Sequence, residues 1–453
     1  MTVYRDPSSF FHRIESIKGD RSMNKIQISG GRPLYGDIEI GGMKNAALPI
    51  IFATILAGDV CTIENLPLIS DVVTSLEILE SLGARVTHLK KGTVRIDTTG
   101  LPYTVPDFDL VRKLRGSIYI AGAQLGRFGQ TEVGLPGGCD IGNRPIDQHQ
   151  QGFAAMGAET VIEGGRFHAK APEGGLRGTS MFFNTSSVGT TINMILAAVL
   201  ADGLTVIENA AREPHIVDVS GFLNACGAHI TGAGTPVIRI HGVKKLHGCD
   251  YAIIPDMIEA GTYMVAAAAA GGQVTVRNVI PKHLETVTAK LREMGVGVEE
   301  HDESVTVSSN RILRPVAIKT LPYPGFPTDM QPQFGALMTL ADGVSMVSET
   351  VFSGRFRYAD ELTKMGAVIK VDGGCAVITG VEKLTGAPLR ANDLRAGAAL
   401  VIAALAAEGV SVIEGTEYIE RGYENIVAKL KNLGAEINVL TPPDNDNYLR
   451  TAN

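Results

Sequence analysis

The chain has 453 residues, of which 45% are hydrophobic and 20% charged, and its formal net charge is −7. This length allows two or three domains with large cores. The charge pattern gives no sign of a nucleic-acid surface. The apolar runs are too short to span a bilayer. The five cysteines are an odd number without metal-ligand spacing, so we expect a reducing, cytoplasmic setting. Residues 1–22 lack an apolar core of signal-peptide length and are interpreted as an N-terminal extension.

A repeat organises the rest of the chain. An apolar residue, a glycine and an alanine or valine recur six times, at steps of 68 to 74 residues. The six glycines of this tripeptide are Gly83, Gly157, Gly227, Gly295, Gly366 and Gly434. Because self-similarity at a fixed period is typical of repeated structural units, the sequence predicts six copies of one unit.

Each unit has the same predicted order of elements. An alanine-rich apolar stretch that ends at a glycine, as at 46–58 or 396–409, predicts a buried helix with its C-terminal cap. A β-branched run follows, as at 205–207 or 410–413, and predicts a strand. An amphipathic helix such as 423–433 comes next, and one or two strands such as 94–96 close the unit. The alternation of strands and helices indicates an α/β fold of βαβαββ-type units.

Three units in each half predict two similar lobes, with buried helices inside and sheets around them. We expect lobe 1 to span 45–254 and lobe 2 to combine 23–44 with 255–453, because a strand at 25–29 precedes the first helix and could close the second lobe. The chain would then cross between the lobes near Lys44 and near Pro255. A solenoid is the alternative architecture, but its usual repeat of about 20 to 50 residues is shorter than this one.

The predicted buried helices begin with charged side chains. Lys44, Arg115 and Arg395 are cations at helix starts, where the helix dipole favours anions. A local preference broken repeatedly indicates a functional site. Asp329 and Asp393 also stand at helix starts, where an aspartate is most often an N-cap. Among cations such an aspartate would stay ionised, able to accept a hydroxyl proton or to orient an arginine.

Three more arginines follow the first strand of a unit, namely Arg144, Arg355 and Arg421. If like units face each other, these loops meet the cationic helix starts in one cleft. Because arginine binds carboxylate and phosphate bidentately, the ligand would carry several negative groups. Taken singly, each arginine could equally be a solvated surface charge.

One loop, Leu135–Pro145, contains three glycines, two prolines and Cys139. Such a loop can present a thiol to a ligand, and nearby cations would activate that thiol or let it act as an acid. A glycine- and proline-rich turn with an incidental cysteine is the other interpretation. The remaining cysteines lie on strand, helix-end or turn patterns and are expected to be inert; they are Cys61, Cys226, Cys249 and Cys375.

These motifs together resemble those of the enolpyruvyl transferases, in particular the members that act on UDP-N-acetylglucosamine. The resemblance runs from about residue 23 to the C-terminal region, and it is specific because the sister group of the shikimate pathway lacks the cysteine loop. The motifs that carry it are Gly42–Ala47, Leu135–Pro145, Glu208–Pro214, Phe326–Gln331, Asp393–Ala396 and Glu420–Tyr423.

The resemblance implies an inside-out α/β barrel in each lobe. It also implies a reaction, the transfer of the enolpyruvyl group of phosphoenolpyruvate to the 3-hydroxyl of UDP-N-acetylglucosamine with release of phosphate. This reaction is the first committed step of peptidoglycan precursor synthesis. It proceeds by addition and elimination through a tetrahedral ketal, without metal or cofactor. The expected partners are the two substrates, with no nucleic acid or membrane, in a monomer or weak homo-oligomer.

The resemblance also implies roles for the charged residues. Lys44, Arg144 and Arg421 would hold the phosphate of phosphoenolpyruvate, and Arg355 and Arg395 its carboxylate. The catalytic set implied by the resemblance is Cys139, Asp329, Lys44, Arg395, Arg421 and Asp393. In that set Cys139 would be the acid, would form a covalent adduct with phosphoenolpyruvate and would be alkylated by fosfomycin. Asp329 would take the proton of the sugar hydroxyl, and Asp393 would steady the cysteine and arginine network.

The nucleotide is expected to contact a separate group of residues. Asn45 would contact the sugar, with Arg115 nearby. The residues expected to line the uridine diphosphate are Arg144, Pro145, Ile146, Asp147, Gln148, His149, Ser187, Val188 and Gly189. From its position alone, His149 would be a packing or nucleotide residue rather than a catalyst. Two alternatives remain open: a paralogue that uses another uridine nucleotide, and a non-catalytic member that binds UDP-sugars.

Overall fold

A computed structural model describes residues 24–137 and 145–441, which fall into two units. Among the described residues, the first unit comprises 40–257 and 321–327, and the second comprises 24–39, 258–320 and 328–441. The sequence predicts that the chain passes between the two lobes at 44/45 and at 254/255. The observed division lies a few residues from each, and it also assigns the short segment 321–327 to the first unit.

The helices of the described residues are between 5 and 14 residues long. In chain order they are α1 Lys44–Ala57, α2 Ser70–Leu82, α3 Phe108–Arg112, α4 Tyr119–Phe128, α5 Asp147–Ala155, α6 Val188–Ala198, α7 Pro214–Ala225, α8 Met257–Ala270, α9 Glu285–Glu293, α10 Gln331–Met338, α11 Tyr358–Lys364, α12 Leu394–Ala406, α13 Thr416–Glu420 and α14 Ile426–Asn432. Short 3₁₀ helices span Arg115–Ile118, Pro281–Leu284 and Thr328–Met330. In the part of the chain that is described, no helix has the length and apolar character needed to cross a membrane.

The strands are short. They are β1 Lys25–Ser29, β2 Leu34–Glu39, β3 Val60–Glu64, β4 Arg85–Lys90, β5 Thr93–Asp97, β6 Gln130–Gly134, β7 Glu159–Glu163, β8 Arg166–Lys170, β9 Ser180–Phe182, β10 Leu204–Glu208, β11 His229–Thr231, β12 Val237–His241, β13 Asp250–Ala252, β14 Gly272–Arg277, β15 Gly297–Glu300, β16 Ser304–Ser309, β17 Ala317–Lys319, β18 Val344–Ser348, β19 Val368–Asp372, β20 Cys375–Thr379, β21 Pro388–Arg390, β22 Val410–Glu414 and β23 Glu436–Leu440.

Within the described residues each unit contains three sheets, and all of them are mixed except the antiparallel sheet β6-β8-β7 of the first unit. In the first unit the strand orders are β13-β3-β5-β4, β6-β8-β7 and β11-β12-β10-β9. In the second unit they are β15-β16-β14-β2, β17-β18-β20-β19 and β21-β22-β1-β23. The opening strand β1 pairs antiparallel with β22 and β23, with Ile26 opposite Ile413 and Ile28 opposite Ile437. The early strand therefore completes a sheet of the second unit.

The first helix of each repeat is buried nearly all round. In α12 every residue from Leu394 to Ala406 is buried, and in α1 the buried set includes all residues except Asn45. A helix that is apolar on every face packs inside a protein, which agrees with the predicted position of these helices. Close helix approach needs small residues, since a Cβ placed on Gly122 of α4 would lie 2.6 Å from the Asn193 carbonyl oxygen of α6.

Two predicted helix ends differ from the observed ones. Helix α12 ends at Ala406 rather than at Gly409, because Gly31 from the second unit's opening segment donates a backbone hydrogen bond to the Leu405 carbonyl at 2.9 Å. Helix α14 begins at Ile426 rather than at Tyr423, because Asn425 adopts a left-handed conformation with φ of 56°. The end of α1 is as predicted, with Gly58 at a φ of 61°.

Candidate active site

The second unit contains a carboxylate that is bound by two arginines. Asp329 lies in the 3₁₀ helix Thr328–Met330, and its Oδ2 accepts a hydrogen bond from Arg395 Nη2 at 3.0 Å. Its other oxygen, Oδ1, accepts from Arg355 Nη2. The arginine side chains are only 2% and 4% exposed, whereas the aspartate side chain is 26% exposed. The two cations are therefore shielded from water, and the carboxylate between them remains accessible.

The charge state of Asp329 follows from these contacts. Burial alone would raise the pKa of the carboxyl group, but the positive charges and hydrogen bonds of Arg395 and Arg355 outweigh it and hold the pKa well below its usual range. The side chain is therefore ionised near neutral pH. The sequence predicted an N-cap or an ionised aspartate among cations, and the second interpretation describes this residue.

A buried glutamate shapes the turn that carries Arg355, which lies between β18 and α11. Glu349 Oε1 accepts hydrogen bonds from the backbone N–H of Val351 at 2.8 Å and of Phe352 at 3.1 Å. Its Oε2 accepts from the Thr328 hydroxyl at 2.9 Å, and Arg355 Nε donates to the Thr328 carbonyl at 3.2 Å. One carboxylate thus ties the arginine turn to the residue that precedes Asp329.

Asp393 caps the helix that presents Arg395. Its Oδ1 accepts hydrogen bonds from the backbone N–H of Arg395 at 2.8 Å and of Ala396 at 3.0 Å. This is the N-cap arrangement that the sequence pattern favoured. The cap fixes the first turn of α12, so Asp393 positions the arginine through the backbone.

Tyr423 provides a second support for Arg395. Arg395 Nη1 donates to the Tyr423 hydroxyl at 3.2 Å, and the guanidinium carbon lies 5.5 Å from the centre of the tyrosine ring. The same hydroxyl is 2.9 Å from Thr262 Oγ1 and 3.3 Å from Gln333 Nε2. A buried polar network of this kind restricts the arginine to one orientation.

In the first unit, Lys44 is buried at the start of α1. Its ammonium group lies 2.7 Å from Asp71 Oδ2 of α2, and its backbone N–H donates to Asp256 Oδ2 at 3.2 Å. A cation at a helix N-terminus opposes the helix dipole. Here two carboxylates offset that cost, which explains how the departure from local preference is tolerated.

His149 of α5 is held by an asparagine on a neighbouring helix. Asn193 Nδ2 donates to the Ile118 carbonyl at 3.1 Å and lies 3.0 Å from His149 Nδ1, while Asn193 Oδ1 accepts from the Gly122 N–H at 2.9 Å. The Asn193 amide group thus donates one hydrogen to the Ile118 carbonyl and the other to His149 Nδ1. Because Nδ1 accepts a hydrogen bond, the proton of the neutral imidazole ring lies on Nε2. Burial, with a smaller contribution from Arg115, lowers the pKa of His149 to about 3.

The N-terminus of α6 lies beside the start of α5. The Ser187 hydroxyl accepts from the Thr190 N–H at 3.3 Å as the N-cap of α6. Gln148 Oε1 is 3.4 Å from the Thr190 hydroxyl, and Gln148 Nε2 donates to the Thr185 carbonyl at 3.2 Å. The first N–H groups of a helix favour an anion, so this end of α6 suits a phosphate group.

The remaining predicted residues are placed as follows. Arg115 begins the 3₁₀ helix before α4, and Arg421 directly follows α13. Asn45 is partly exposed in α1, Pro145 and Asp147 are exposed, Ile146 is buried, and Val188 and Gly189 open α6. Cys139 and Arg144 lie outside the described residues, so their predicted roles stay predictions.

Several supporting residues were not anticipated from the sequence. Tyr423 lies in a motif that carried the resemblance but was given no role, and Asp71, Asn193 and Glu349 were not noticed at all. Asp71, Asn193 and Glu349 are buried polar residues, and Tyr423 is a buried aromatic residue with a hydroxyl group. A polar group in a segment that becomes buried was the available signal. Among the described residues, no cluster of three or more histidine, cysteine or acidic side chains is arranged to hold a metal ion.

Comparisons with known proteins define the class. A family model described as EPSP synthase (3-phosphoshikimate 1-carboxyvinyltransferase) matches residues 28–430. The enolpyruvyl transferase NikO from Streptomyces tendae is 26% identical, with a TM-score of 0.83 over 93% of this chain and 100% of that chain. The EPSP synthase of Acinetobacter baumannii, at 19% identity and a TM-score of 0.71 over 92% of this chain and 100% of that one, shares the fold. The chain belongs to the EPSP synthase family of enolpyruvyl transferases.

Within this family the chain is similar to one kind of member. UDP-N-acetylglucosamine 1-carboxyvinyltransferase of Clostridium botulinum is 56% identical over 92% of this chain and 99% of its own length. A protein of the same name, numbered 3, from Caldanaerobacter subterraneus is 54% identical over 92% of this chain and 99% of its own length. These comparisons confirm the resemblance predicted from the sequence motifs.

Proposed function

We propose that the protein transfers the enolpyruvyl group of phosphoenolpyruvate to the 3-hydroxyl of UDP-N-acetylglucosamine, releasing phosphate. This reaction would be the first committed step of peptidoglycan precursor synthesis. The observation that carries the proposal is the Asp329 carboxylate bound by two buried arginines, Arg355 and Arg395. The relatives at 54% and 56% identity support the choice of nucleotide sugar.

The arginine pair suits the carboxylate of phosphoenolpyruvate. A guanidinium group binds a carboxylate with two parallel hydrogen bonds, and shielding from water strengthens each ion pair. The donors are suited to a carboxylate, since both arginines already donate hydrogen bonds to the Asp329 carboxylate. Lys44, Arg144 and Arg421 would bind the phosphate group, as the family resemblance implies.

Asp329 would accept the proton of the sugar hydroxyl. A carboxylate bound to two arginines is a weak base, because both cations stabilise its ionised form. When the carboxylate of phosphoenolpyruvate takes part of the hydrogen bonding of Arg355 and Arg395, this stabilisation decreases and the pKa of Asp329 rises. Binding of one substrate would thus prepare the base for the other.

The bond changes are an addition followed by an elimination. The sugar oxygen attacks C2 of phosphoenolpyruvate while its proton passes to Asp329, and the methylene carbon C3 takes a proton from an acid. The resulting ketal then loses a proton from C3, and the C2–O bond to phosphate breaks. Cys139 would be the acid, as the family resemblance implies. Fixed cations stabilise the charge that develops on the carboxylate and phosphate.

The first unit would bind the nucleotide. The N-terminus of α6, with Ser187, Val188 and Gly189, would receive a phosphate of the uridine diphosphate. His149, uncharged and with its Nε2 proton available as a donor, would contact the same part of the ligand. Asn45 and Arg115 would contact the sugar or its neighbouring phosphate.

Phosphate release measures the proposed activity directly. The protein is mixed with phosphoenolpyruvate alone, with UDP-N-acetylglucosamine alone and with both, and the nucleotide product is identified by mass spectrometry. Phosphate and an enolpyruvyl ether should form only when both substrates are present. A panel with UDP-glucose and UMP separates the proposed substrate from other uridine nucleotides.

The outcomes distinguish the alternatives. Turnover with UMP but not with UDP-N-acetylglucosamine would assign a paralogue. Binding of UDP-N-acetylglucosamine by calorimetry without phosphate release would assign a non-catalytic member. Treatment with fosfomycin, with and without UDP-N-acetylglucosamine, followed by peptide mapping tests the thiol, since a single adduct on Cys139 is expected.

A further inference from the structure

Three cysteines of the first unit come together, although they are far apart in sequence. Cys61 is in β3, Cys226 directly follows α7, and Cys249 directly precedes β13. The sulfur atoms of Cys226 and Cys249 are 3.3 Å apart, and the nearby Cys61 thiol contributes to raising the pKa of both. The sequence predicted three inert thiols in separate local patterns, and that prediction did not anticipate their assembly.

The backbone fixes each cysteine in this cluster. Strands β3 and β13 are parallel neighbours, and the Thr62 N–H donates to the Cys249 carbonyl at 3.0 Å. The preceding Gly248 N–H donates to Asp59 Oδ2 at 3.0 Å. The Cys226 carbonyl accepts from the His247 N–H at 2.9 Å. The thiols are therefore held in place by strand pairing and helix capping on both sides.

The three thiols differ in access to solvent. Cys61 and Cys226 are fully buried, whereas Cys249 is partly exposed. A small solute can therefore reach Cys249 first, while the other two sulfurs lie behind it. Cys375, the remaining described cysteine, is exposed in the second unit with the Ser348 hydroxyl 3.9 Å from its sulfur. It provides an internal comparison for an isolated surface thiol.

Hydrogen bonding within the cluster distributes the protons unevenly. Bonds from Cys226 and Cys249 lower the pKa of the Cys61 thiol, despite its burial. The same bonds raise the pKa of Cys226, and burial adds to this effect. Although the contact with Cys226 lowers it, the contact with Cys61 and burial raise the pKa of Cys249 to about 12, so this thiol is protonated near neutral pH and should react faster as the pH rises.

We propose that Cys249 and Cys226, whose sulfur atoms are 3.3 Å apart, form an oxidant-sensitive pair, which a hydroperoxide converts into a disulfide. The Cys249 sulfur attacks one peroxide oxygen, the O–O bond breaks, and the hydroxide that leaves takes up the proton that Cys249 loses. The Cys226 sulfur then attacks the Cys249 sulfenic acid, forming the S–S bond and breaking the S–O bond. The hydroxide released in this second step takes up the proton of Cys226. Two thiols and one hydrogen peroxide thus give one disulfide and two waters.

This inference is independent of the proposed transfer reaction, because none of the three cysteines belongs to the candidate active site. The test treats the full-length protein with hydrogen peroxide, blocks free thiols with iodoacetamide, reduces the sample and labels the newly released thiols with N-ethylmaleimide. Peptide mapping should find the second label on Cys226 and Cys249 together. The non-reduced digest should contain one cross-linked peptide pair, lighter by two hydrogen atoms, that dithiothreitol separates.

Two variants identify the order of events. In Cys226→Ser the sulfenic acid on Cys249 has lost its partner, so dimedone should label Cys249 as strongly as it labels exposed Cys375. In the wild-type protein, dimedone should label Cys375 but only weakly label Cys249. If thermal unfolding shows that Cys226→Ser does not fold, the dimedone labelling of Cys249 is measured in Cys226→Ala instead, and the peptide mapping of the wild-type protein still tests for the disulfide.

Three results would overturn the proposal. One is oxidation of Cys249 to a sulfinic acid in the wild-type protein without a cross-link. Another is a disulfide that joins Cys61 to Cys249 instead. The third is equal dimedone labelling of Cys249 in the wild-type protein and in Cys226→Ser. Any of these would mean that the proximity of the sulfurs does not produce the paired oxidation described above.

Discussion

Asp329 and Arg395 are 66 positions apart in the chain, and they form an ion pair with 3.0 Å between Oδ2 and Nη2. Arg395 lies in the first turn of α12, where a cation is disfavoured by the helix dipole. Asp329 offsets this unfavourable interaction. Asp393 accepts a hydrogen bond from the Arg395 backbone N–H, and the Tyr423 hydroxyl accepts one from the guanidinium group. In the proposed reaction the two arginines would bind the anionic substrate, and Asp329 would be the base beside them.

Replacing Asp329 by asparagine should separate binding from chemistry. Without the base, kcat for phosphate release should fall by about 100-fold or more, the range typical of a lost general base. Because the asparagine no longer neutralises Arg355 and Arg395, KM for phosphoenolpyruvate should stay constant or decrease. Steady-state kinetics with varied phosphoenolpyruvate measures both. Asp372→Asn, on an exposed strand position of the same unit, is the control and should behave as wild type. An unchanged kcat in Asp329→Asn would contradict the role of base.

Tyr423→Phe should remove the hydroxyl group that accepts a hydrogen bond from Arg395, and it should keep the aromatic ring beside the guanidinium group. Loss of one buried hydrogen bond costs about 1 kcal/mol, so kcat/KM for phosphoenolpyruvate should fall about fivefold. The KM for UDP-N-acetylglucosamine should not change. Tyr35→Phe removes a hydroxyl from a tyrosine that is 60% exposed and serves as the control. Equal kinetics in the two variants would show that the hydroxyl does not position the arginine.

Asp393 should act as a helix cap, and two substitutions distinguish this role from a catalytic one. Asp393→Ala removes the acceptor for the Arg395 and Ala396 N–H groups and should cost about 1 kcal/mol of stability together with activity. Asp393→Asn keeps an acceptor oxygen and should retain most of both. Urea unfolding and phosphate release measure the two effects. If the asparagine variant loses as much activity as the alanine variant, the negative charge of Asp393 takes part in the reaction.

His149 should make stability depend on pH between about pH 7 and pH 5. Burial lowers its folded-state pKa to about 3 from the ordinary histidine value of about 6.5, so the unfolded chain binds a proton below about pH 6.5 that the folded chain does not bind until the pH approaches 3. Stability is therefore lost as the pH falls, by about 2 kcal/mol at pH 5.

The comparison that isolates this effect uses His149→Asn. Its urea midpoint should be lower than that of the wild type at pH 7, because the fit to Asn193 is disturbed, but should fall less on acidification. His301→Asn, at an exposed histidine, should keep the wild-type pH dependence. Parallel pH curves for the wild type and His149→Asn would mean that His149 is protonated in the folded protein.

Much of the fold could be predicted because its signals are local. The glycine that ends α1 and the apolar run of α12 are signals that depend only on residues within a few helical turns. The predicted helices and strands were therefore largely found. The two exceptions have different causes. Helix α12 ends early because Gly31, which is distant in the sequence, donates a hydrogen bond to the Leu405 carbonyl. Helix α14 begins late because Asn425, directly before it, adopts a left-handed backbone conformation.

The order of the amino acids was enough to predict the repeat of six units, the buried helices and the unusual charges at their starts, including Lys44, Asp329 and Arg395. The folded structure was needed to find the groups that those charges meet: Asp71 for Lys44, and Arg355 and Arg395 for Asp329. It also decided that Cys61, Cys226 and Cys249 lie together. The physical reason is that hydrophobic periodicity depends on adjacent residues. Ion pairs and thiol contacts depend instead on side chains that packing brings close from distant parts of the chain.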